Sequence, residues 1–241
     1  MQNGSVTGMA DHIVKAEWRG DYTKYLILNR PDRANAINGA LILRLTEEIV
    51  KCYSDQTKIL IIQGEGKHFC SGFDREPSKL ESTASRSLLG IEIESMLQIL
   101  AGAPCVTLAY IHGAAVGAGA DIAVACDYRC ATSDATIAFP GFNLIGASLG
   151  NSRLSQRIGP DQAMRLILLA HRVGVEEAFQ MGLITNIVEA DEITLFITEL
   201  EAALEKTSKP ALRSLKKSVG EISSRAFGST ERSSQAMDPA I

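Results

Sequence analysis

The sequence has few aromatic residues and no excess of positive charge. Aromatics make up 5% of the 241 residues, and 24 Lys and Arg stand against 28 Asp and Glu, a formal net charge of -4. Proteins that bind nucleic acids usually carry a basic face with interleaved aromatic side chains, and no such segment is found. We therefore expect no nucleic-acid partner. The apolar content of 46% excludes intrinsic disorder and indicates a globular chain with one substantial core.

Signals for membranes, secretion and metal binding are also missing. The apolar stretches are interrupted by Gly, Pro or charge before the ~20 residues that a membrane span needs. The first residues lack the basic start and apolar run of a secretory signal, and the five cysteines show no disulfide framework. Cys126 and Cys130 lie close in sequence, but a metal site would need a second pair or a nearby His. We expect a cytoplasmic protein with free thiols, no metal and no membrane partner.

Apolar patterning predicts alternating strands and helices. Residues 58–62 and 105–109 are continuous apolar runs, which is typical of strands covered on both faces. Further strands are predicted at 25–28, 128–131 and 136–139. Apolar spacing and helix-boundary residues predict helices at 41–53, within 85–101, and at 117–126, 159–170 and 175–182. In the second helix, one face is expected to contain Leu88, Ile91, Ser95, Leu97 and Leu100.

This order of elements predicts an α/β (α+β) fold with a helical end. We expect a disordered N-terminus at residues 1–10, a core at 11–190 and a C-terminal helical region at 191–241, which Pro210 splits.

Glycine-rich turns follow two of the predicted strands. In residues 113–121, Gly117-x-Gly119 lacks the third glycine and the acidic residue of a dinucleotide site, and the chain has no Walker loop. The segment instead opens a helix, whose first N–H groups are unpaired and lie at the positive end of the helix dipole. Residues 69–74 form a similar small-residue loop after the strand at 58–62. Two such loops could each donate one backbone N–H to a single oxygen, as in an oxyanion hole.

Five segments, in order, carry a resemblance to the enoyl-CoA hydratase/isomerase (crotonase) superfamily. The resemblance as a whole runs from about residue 13 to residue 217. They are similar to the family's N-R-P-x-x-x-N-A loop, its F-S/C-A-G-x-D loop, its N-G-x-A-x-G-G-G turn, its A-C-D-x-R segment and its E-A-x-x-x-G-L segment. In this chain they read NRPDRANAI (29–37), FCSGFD (69–74), HGAAVGAG (112–119), ACDYR (125–129) and EAFQMGL (177–183).

The resemblance implies a fold, a ligand and an assembly. The fold would be the crotonase/ClpP-like spiral of β-β-α units, with two roughly perpendicular sheets. The ligand would be an acyl-CoA thioester, in which coenzyme A belongs to the substrate, so that no separate cofactor is expected. The assembly would be a homotrimer or a dimer of trimers. By position, the backbone N–H groups of Ser71 and Ala118 would form the oxyanion hole, and the CoA-binding residues would be Arg33, Ala34, Ala36, Ser71, Phe73 and Asp74. Arg33 could contact a CoA phosphate or could simply be a solvated charge in its loop.

Asp121 stands where the family's hydratases place one of two catalytic glutamates. Three residues after Ala118, it would lie on the same face of the helix. It could transfer a proton, or it could simply complement the helix dipole, and sequence spacing leaves both open. The second glutamate should follow Pro140, where this chain has Gly141. Hydration needs two groups, whereas shifting a double bond needs one, so the residues favour isomerisation.

Further interpretations concern the residues after position 141 and the two histidines beside the glycine-rich loops. The resemblance assigns Phe142, Asn143 and Ser148 to an acyl pocket. Asn143 could orient water there, or it could form a hydrogen bond in the core or in its loop. His68 and His112 flank the two glycine-rich loops and are expected to hold turns rather than to act as bases.

Two alternative functions remain open. The absence of the second glutamate suggests a catalytically decayed protein that binds acyl-CoA. Residues 146–150, GASLG, match the nucleophile elbow of serine hydrolases, with Ser148 as nucleophile and His171 as the only downstream histidine.

Overall fold

Strands form two sheets in the part of the chain that the structure describes. The structure is a computed structural model, and it describes residues 12–74, 83–145, 149–189 and 191–227, so the expected disordered segment at residues 1–10 lies outside the described residues. The strands are β1 (Val14–Trp18), β2 (Thr23–Leu28), β3 (Ile59–Gly64), β4 (Val106–Ile111), β5 (Ala114–Val116), β6 (Tyr128–Ala131), β7 (Thr136–Ala138), β8 (Val173–Gly174) and β9 (Asn186–Ile187).

The larger sheet has six strands in the order β1-β2-β3-β4-β6-β9. β1 pairs with β2 antiparallel, and every other neighbouring pair in this sheet is parallel. The smaller sheet has the order β5-β7-β8, with β5 and β7 parallel and β8 antiparallel. All residues of β2 and all but one of β3 are buried, as their continuous apolar runs predict.

The helices follow the strands and enclose both faces of the larger sheet. They are α1 (Gly39–Lys51), α2 (Thr83–Ala101), α3 (Ala118–Ala125), α4 (Gly141–Ile145), α5 (Asn151–Ile158), α6 (Pro160–Leu169), α7 (Val175–Gln180), α8 (Glu192–Leu204) and α9 (Lys209–Phe227), together with a 3-10 helix at Pro31–Arg33. One face of the sheet packs against the main core, to which α1, α2 and α3 contribute. Ile193 and Ile197 of α8 pack against the opposite face, on side chains that include Tyr25 and Ile61.

Two details of the predicted helices are wrong. Leu97 and Leu100 of the predicted α2 face are buried, but Leu88 and Ile91 are 59% and 66% exposed and Ser95 is also exposed. The buried stripe consists of Ile93, Met96, Leu97 and Leu100, which has the i, i+3, i+4, i+7 spacing. The C-terminal helices are separated at residues 205–208, and Pro210 lies in the first turn of α9, where its missing N–H costs no helical hydrogen bond.

Candidate active site at the start of helix α3

Two glycine-rich loops meet at the start of α3. The Cys70 N–H donates to the Ala114 carbonyl at 3.0 Å, and the Val116 N–H donates to the Cys70 carbonyl at 2.9 Å. A parallel bridge between Cys70 and Ala115 results. The predicted proximity of the two loops is therefore confirmed, and it arises because both follow neighbouring parallel strands of the larger sheet.

Gly72 allows the closest approach between these loops. It adopts φ +87°, and a Cβ atom built there would lie 2.5 Å from the Val116 carbonyl oxygen and 3.6 Å from the Ala118 nitrogen. A side chain would therefore push the loops apart. A side chain at position 72 would therefore also contact the first amide of α3.

The two predicted oxyanion amides differ in what they contact. Ala118 is the first residue of α3, Gly117 before it provides no side-chain cap, and no described residue accepts a hydrogen bond from the Ala118 N–H. The Ser71 N–H, by contrast, donates to the Ala34 carbonyl at 2.9 Å. Of the predicted pair, the Ala118 amide is open in this structure, and the Ser71 amide already has a protein acceptor.

Asp121 lies one turn after Ala118 and is 5% exposed. Its backbone N–H donates to the Gly117 carbonyl at 2.9 Å, which begins the hydrogen-bond ladder of α3. Among the described residues, none donates a hydrogen bond to its carboxyl group. Burial raises the pKa of Asp121 well above its ordinary value, Arg153 acts in the opposite direction, and Glu94 raises it further. The carboxyl group is thus held toward its neutral, proton-bearing form.

Glu94 and Arg153 form an ion pair beside Asp121. Two Arg153 guanidinium nitrogens donate to the two Glu94 carboxylate oxygens at 2.9 and 2.6 Å. The hydrogen bonds from Arg153 hold the pKa of Glu94 below its ordinary value. Sequence reasoning missed this pair because its partners are 59 positions apart and no local pattern connects them.

Arg30 holds the predicted CoA-binding loop to the loop at 69–74. Its guanidinium pairs with the Asp74 carboxylate at 2.7 Å and also donates to the Ala36 carbonyl. The Asp74 N–H donates to the Ile37 carbonyl at 2.9 Å. The groups of Asp74 and Ala36 that were predicted to contact CoA are therefore engaged in joining the two loops. Arg30 was missed from the sequence, where it reads as part of the N-R-P motif.

Asn35 supports the same junction from inside. It is fully buried, and its side-chain amide donates to the Glu65 and His68 carbonyls at 3.0 and 2.8 Å. The remaining predicted CoA residues lie around it, with Arg33 exposed and Ala34 and Phe73 half-buried. The structure thus brings all six predicted CoA-binding residues into one cluster, in which Arg33 is the exposed cation.

The two flanking histidines hold turns, as predicted. His68 Nδ1 accepts a hydrogen bond from the Ala114 N–H at 3.2 Å, and His112 Nε2 lies 3.0 Å from the Gly66 carbonyl oxygen.

The predicted acyl-pocket residues are only partly described. Phe142 is 46% exposed on α4, and the Asn143 amide donates to the Leu168 carbonyl at 3.0 Å, so Asn143 caps the end of α6. Asn143 is therefore engaged in a hydrogen bond that joins α4 to the end of α6. Ser148 lies outside the described residues, and the nucleophile-elbow hypothesis stays a prediction. His171 lies 3.6 Å from Glu177, and both side chains are partly exposed.

Neither metal ligation nor a membrane span is found in the described ranges. Within residues 12–74, 83–145, 149–189 and 191–227, no group of three or more His, Cys, Asp or Glu side chains could hold a metal ion. None of the helices in these ranges is long and apolar enough to cross a bilayer. All five cysteines are buried free thiols, as predicted, and Cys126 and Cys130 are two buried small residues.

Comparisons with known proteins agree with this architecture. The chain is 31% identical over 201 residues to the mouse protein named ethylmalonyl-CoA decarboxylase, an alignment covering 80% of the chain and 62% of that protein. It is 34% identical over 165 residues to a "probable enoyl-CoA hydratase" of Rhodobacter capsulatus, and this alignment covers 68% of the chain and 64% of that protein. The chain therefore spans slightly less than two thirds of the length of these relatives. The crystal structure of enoyl-CoA hydratase from Thermoplasma volcanium superimposes with a TM-score of 0.80 at 26% identity, covering 89% of this chain and 86% of that one.

A family model matches most of the chain. The model described as enoyl-CoA hydratase/isomerase matches residues 23–237, which include both glycine-rich loops and Asp121. Together with the structural likeness, this match confirms the crotonase fold expected from the motifs. The chain belongs to the enoyl-CoA hydratase/isomerase family.

Proposed function

We propose that this protein binds an acyl-CoA thioester, stabilises its enolate and moves one proton through Asp121. The proposal rests on one juxtaposition. The Ala118 N–H has no described acceptor, and one turn later the buried Asp121 carboxyl group receives no hydrogen bond from any described residue. An N–H at a helix start favours the negative oxygen that develops when a thioester becomes an enolate. A carboxyl group whose pKa is raised well above its ordinary value can accept a proton and return it.

A hydrogen bond from a second amide would stabilise this oxygen further. The Ser71 N–H would join Ala118 if the thioester oxygen replaced the Ala34 carbonyl as its acceptor. Ala34 lies in a segment where two consecutive non-glycine residues, Ala34 and Asn35, have φ +47° and +55°. Such conformations cost free energy, so a shift of the Ala34 peptide on ligand binding is physically accessible. Arg33 is exposed next to this peptide, where it would contact a CoA phosphate.

The proposed reaction is double-bond isomerisation. Asp121 would remove a proton from the carbon beside the carbonyl of a 3-enoyl thioester and return it two carbons further along. The product would be the conjugated 2-enoyl thioester. Hydration requires a second group to activate water, and position 141, where the family's second glutamate is expected, is the glycine that begins α4.

Decarboxylation of a malonyl-type thioester is a second candidate. Loss of CO₂ generates the enolate without a base, and the protein then needs only an acid that protonates carbon. The raised pKa of Asp121 suits that role, and the relative from mouse is named for a reaction of this kind. The two reactions would share the enolate and differ in whether Asp121 begins as base or as acid.

Three substrates distinguish these reactions. The purified protein is given 3-hexenoyl-CoA, ethylmalonyl-CoA or crotonyl-CoA, and conjugated thioester absorbance, CO₂ release and hydration are followed. We expect turnover of the first or second substrate that falls at least ~100-fold in Asp121→Asn. The matched control is Asp161→Asn, because Asp161 is exposed in the first turn of α6.

Other outcomes would overturn parts of the proposal. Hydration of crotonyl-CoA at a rate above isomerisation would contradict the one-acid reaction. Saturable binding of the thioesters without any turnover would favour the catalytically decayed protein. Labelling of Ser148 by an organophosphate would favour the serine hydrolase.

The assembly and the location stay proposals. A homotrimer or a dimer of trimers is expected from the family resemblance, and light scattering coupled to size exclusion measures it. A cytoplasmic location is expected from the free thiols, and fractionation of the source cells tests it.

A further inference from the structure

Glu94 receives more hydrogen bonds than an ordinary surface carboxylate. Besides the two from Arg153, it accepts one from the Gln98 side chain at 3.2 Å, and the Gly150 N–H also stabilises its charge. The Arg153 side chain is 15% exposed and that of Glu94 is 32% exposed. Fork-to-fork pairing of this kind fixes the plane of the guanidinium as well as its position.

Gly150 brings this pair to the Asp121 carboxyl group. At φ +65°, a Cβ atom built on Gly150 would lie 2.9 Å from Asp121 Oδ1 and 3.5 Å from a terminal nitrogen of Arg153. Acid and guanidinium therefore converge on one point of the Gly150 backbone. Nevertheless, no ion pair within 4.0 Å joins them among the described residues, because both terminal nitrogens of Arg153 donate to Glu94.

Arg153 also has an unused donor. Its Nε atom is buried and has no hydrogen-bond partner in the described part of the chain. A guanidinium in this state has unmet hydrogen-bonding capacity next to an acid that lacks a donor. The charged groups that act on Asp121 from the helices packed against α3 are Glu94 on α2 and Arg153 on α5.

We propose that Glu94 and Arg153 are positioning residues for Asp121, in which Glu94 holds the guanidinium on itself and so leaves the Asp121 carboxyl group able both to take up and to give back a proton. The inference rests on the proposed role of Asp121 in moving a proton. Without Glu94, the guanidinium would be free to pair with Asp121 and fix it as a carboxylate. Without Arg153, the positive charge that opposes proton retention would be lost.

The two single substitutions should therefore act in opposite directions. In Glu94→Gln, the titration midpoint of Asp121 is expected to fall by about one pH unit, and in Arg153→Gln it is expected to rise by about one unit. The double variant removes both charges, so its midpoint should return toward that of the unsubstituted protein. A purely structural pair would lower stability in all three variants without opposite shifts.

The test is a carbon-13 NMR titration of aspartate carboxyl groups in the full-length protein. The Asp121 resonance is assigned by its disappearance in Asp121→Asn, and the readout needs neither substrate nor turnover. Glu92→Gln is the matched control, since Glu92 is exposed on the same helix, and it should leave the midpoint in place. If Arg153→Gln does not fold, Arg153→Lys keeps the charge and loses the fork, and its midpoint should move by less than about half a unit.

A second readout separates this inference from the proposed function. For any substrate that turns over, the midpoint of the kcat/KM profile that disappears in Asp121→Asn should shift in the same directions as the NMR midpoint. Equal midpoints in Glu94→Gln, Arg153→Gln and the unsubstituted protein would overturn the positioning role while leaving Asp121 as the acid. Full activity in Asp121→Asn would instead overturn the proposed function, whatever the NMR titration shows.

Discussion

Two buried carboxyl groups in this protein have opposite environments. Glu48 of α1 and Asp121 of α3 are 2% and 5% exposed. Glu48 accepts from Lys24 at 2.8 Å, Lys51 at 2.6 Å and Arg44 at 3.0 Å. Asp121 accepts from no described side chain, and its one cationic neighbour is bound to Glu94.

The charges follow from these environments. Burial acts to raise the pKa of both acids, but the hydrogen bonds and charges of Lys24 and Lys51 hold the pKa of Glu48 below its ordinary value, whereas that of Asp121 is raised well above it. A compensated buried acid contributes to stability, and an uncompensated one costs stability and retains a proton. This difference separates a structural carboxylate from a candidate catalytic one.

The largest expected effect is on turnover. Asp121→Asn should lower kcat by ~100-fold or more, because it removes the proposed proton carrier, with an unfolding midpoint equal to or above that of the unsubstituted protein. Glu48→Gln should do the reverse, with normal kcat per folded molecule and lower stability. Steady-state kinetics and urea unfolding of both variants measure the contrast. If the two variants lost kcat to a similar extent, burial of the carboxyl group would account for its effect on turnover, and the cations paired with Glu48 would make no difference.

The next largest effect is on stability at Lys24. Lys24→Met leaves Glu48 buried with two of its three cations, and we expect a loss of about 3 kcal/mol in the free energy of unfolding. The control is Lys15→Met on β1, whose ion pair with Glu65 is solvent-exposed and should contribute less than about 1 kcal/mol. Urea titration gives both values, and equal losses at the two lysines would contradict the argument from burial.

The pH dependence of stability should have opposite signs at the two acids. The contribution of Glu48 is present above its unfolded pKa of about 4.3 and is lost as pH falls through its lower folded pKa. The contribution of neutral Asp121 is present below its unfolded pKa of about 3.9 and is lost as pH rises through its higher folded pKa.

Urea unfolding at pH 3.5 to 8 measures this sign. Asp121→Asn should gain stability relative to the unsubstituted protein as pH rises above about 4, while the deficit of Glu48→Gln should shrink as pH falls below about 4. Parallel curves for the two variants would contradict the assigned protonation states.

The smallest effect is expected at Lys51. Its side chain is 55% exposed although its nitrogen donates to Glu48 at 2.6 Å. Lys51→Ala should therefore lower the free energy of unfolding by about 0.5 kcal/mol, since water screens its charge. A loss approaching that of Lys24→Met would show that the three cations around Glu48 act as one unit.

Much of the fold follows from local patterns. The apolar run that became β3 and the spacing of Leu41, Leu45 and Ile49 in α1 predict their elements directly, because burial on both faces or on one stripe leaves a clear signature. β1 was missed although its sequence, VKAEW, alternates apolar and charged residues. At the edge of the sheet only Val14 is buried, and Ala16 and Trp18 are exposed, so the apolar positions do not mark a side that faces the core.

The candidate site was only half accessible from sequence. Ala118 and Asp121 are marked by local motif and spacing. The partners that define their chemistry, Arg153 and Glu94, come from helices far apart in sequence, and the predicted stripe of α2 was correct only at Leu97 and Leu100. The Ser71 amide could not be assessed either, since its contact with the Ala34 carbonyl depends on a turn with two left-handed residues that no apolar pattern encodes.

Cys70 lies at the seam of the two loops, with its thiol donating to the Asn35 carbonyl and a Cβ atom built on Gly119 falling 2.8 Å from its sulfur. Burial raises the pKa of this thiol to about 12, so an alkylating reagent can reach a reactive thiolate only when the loops separate. The rate at which Cys70 is alkylated therefore measures how often the two loops separate, and a bound thioester should lower that rate.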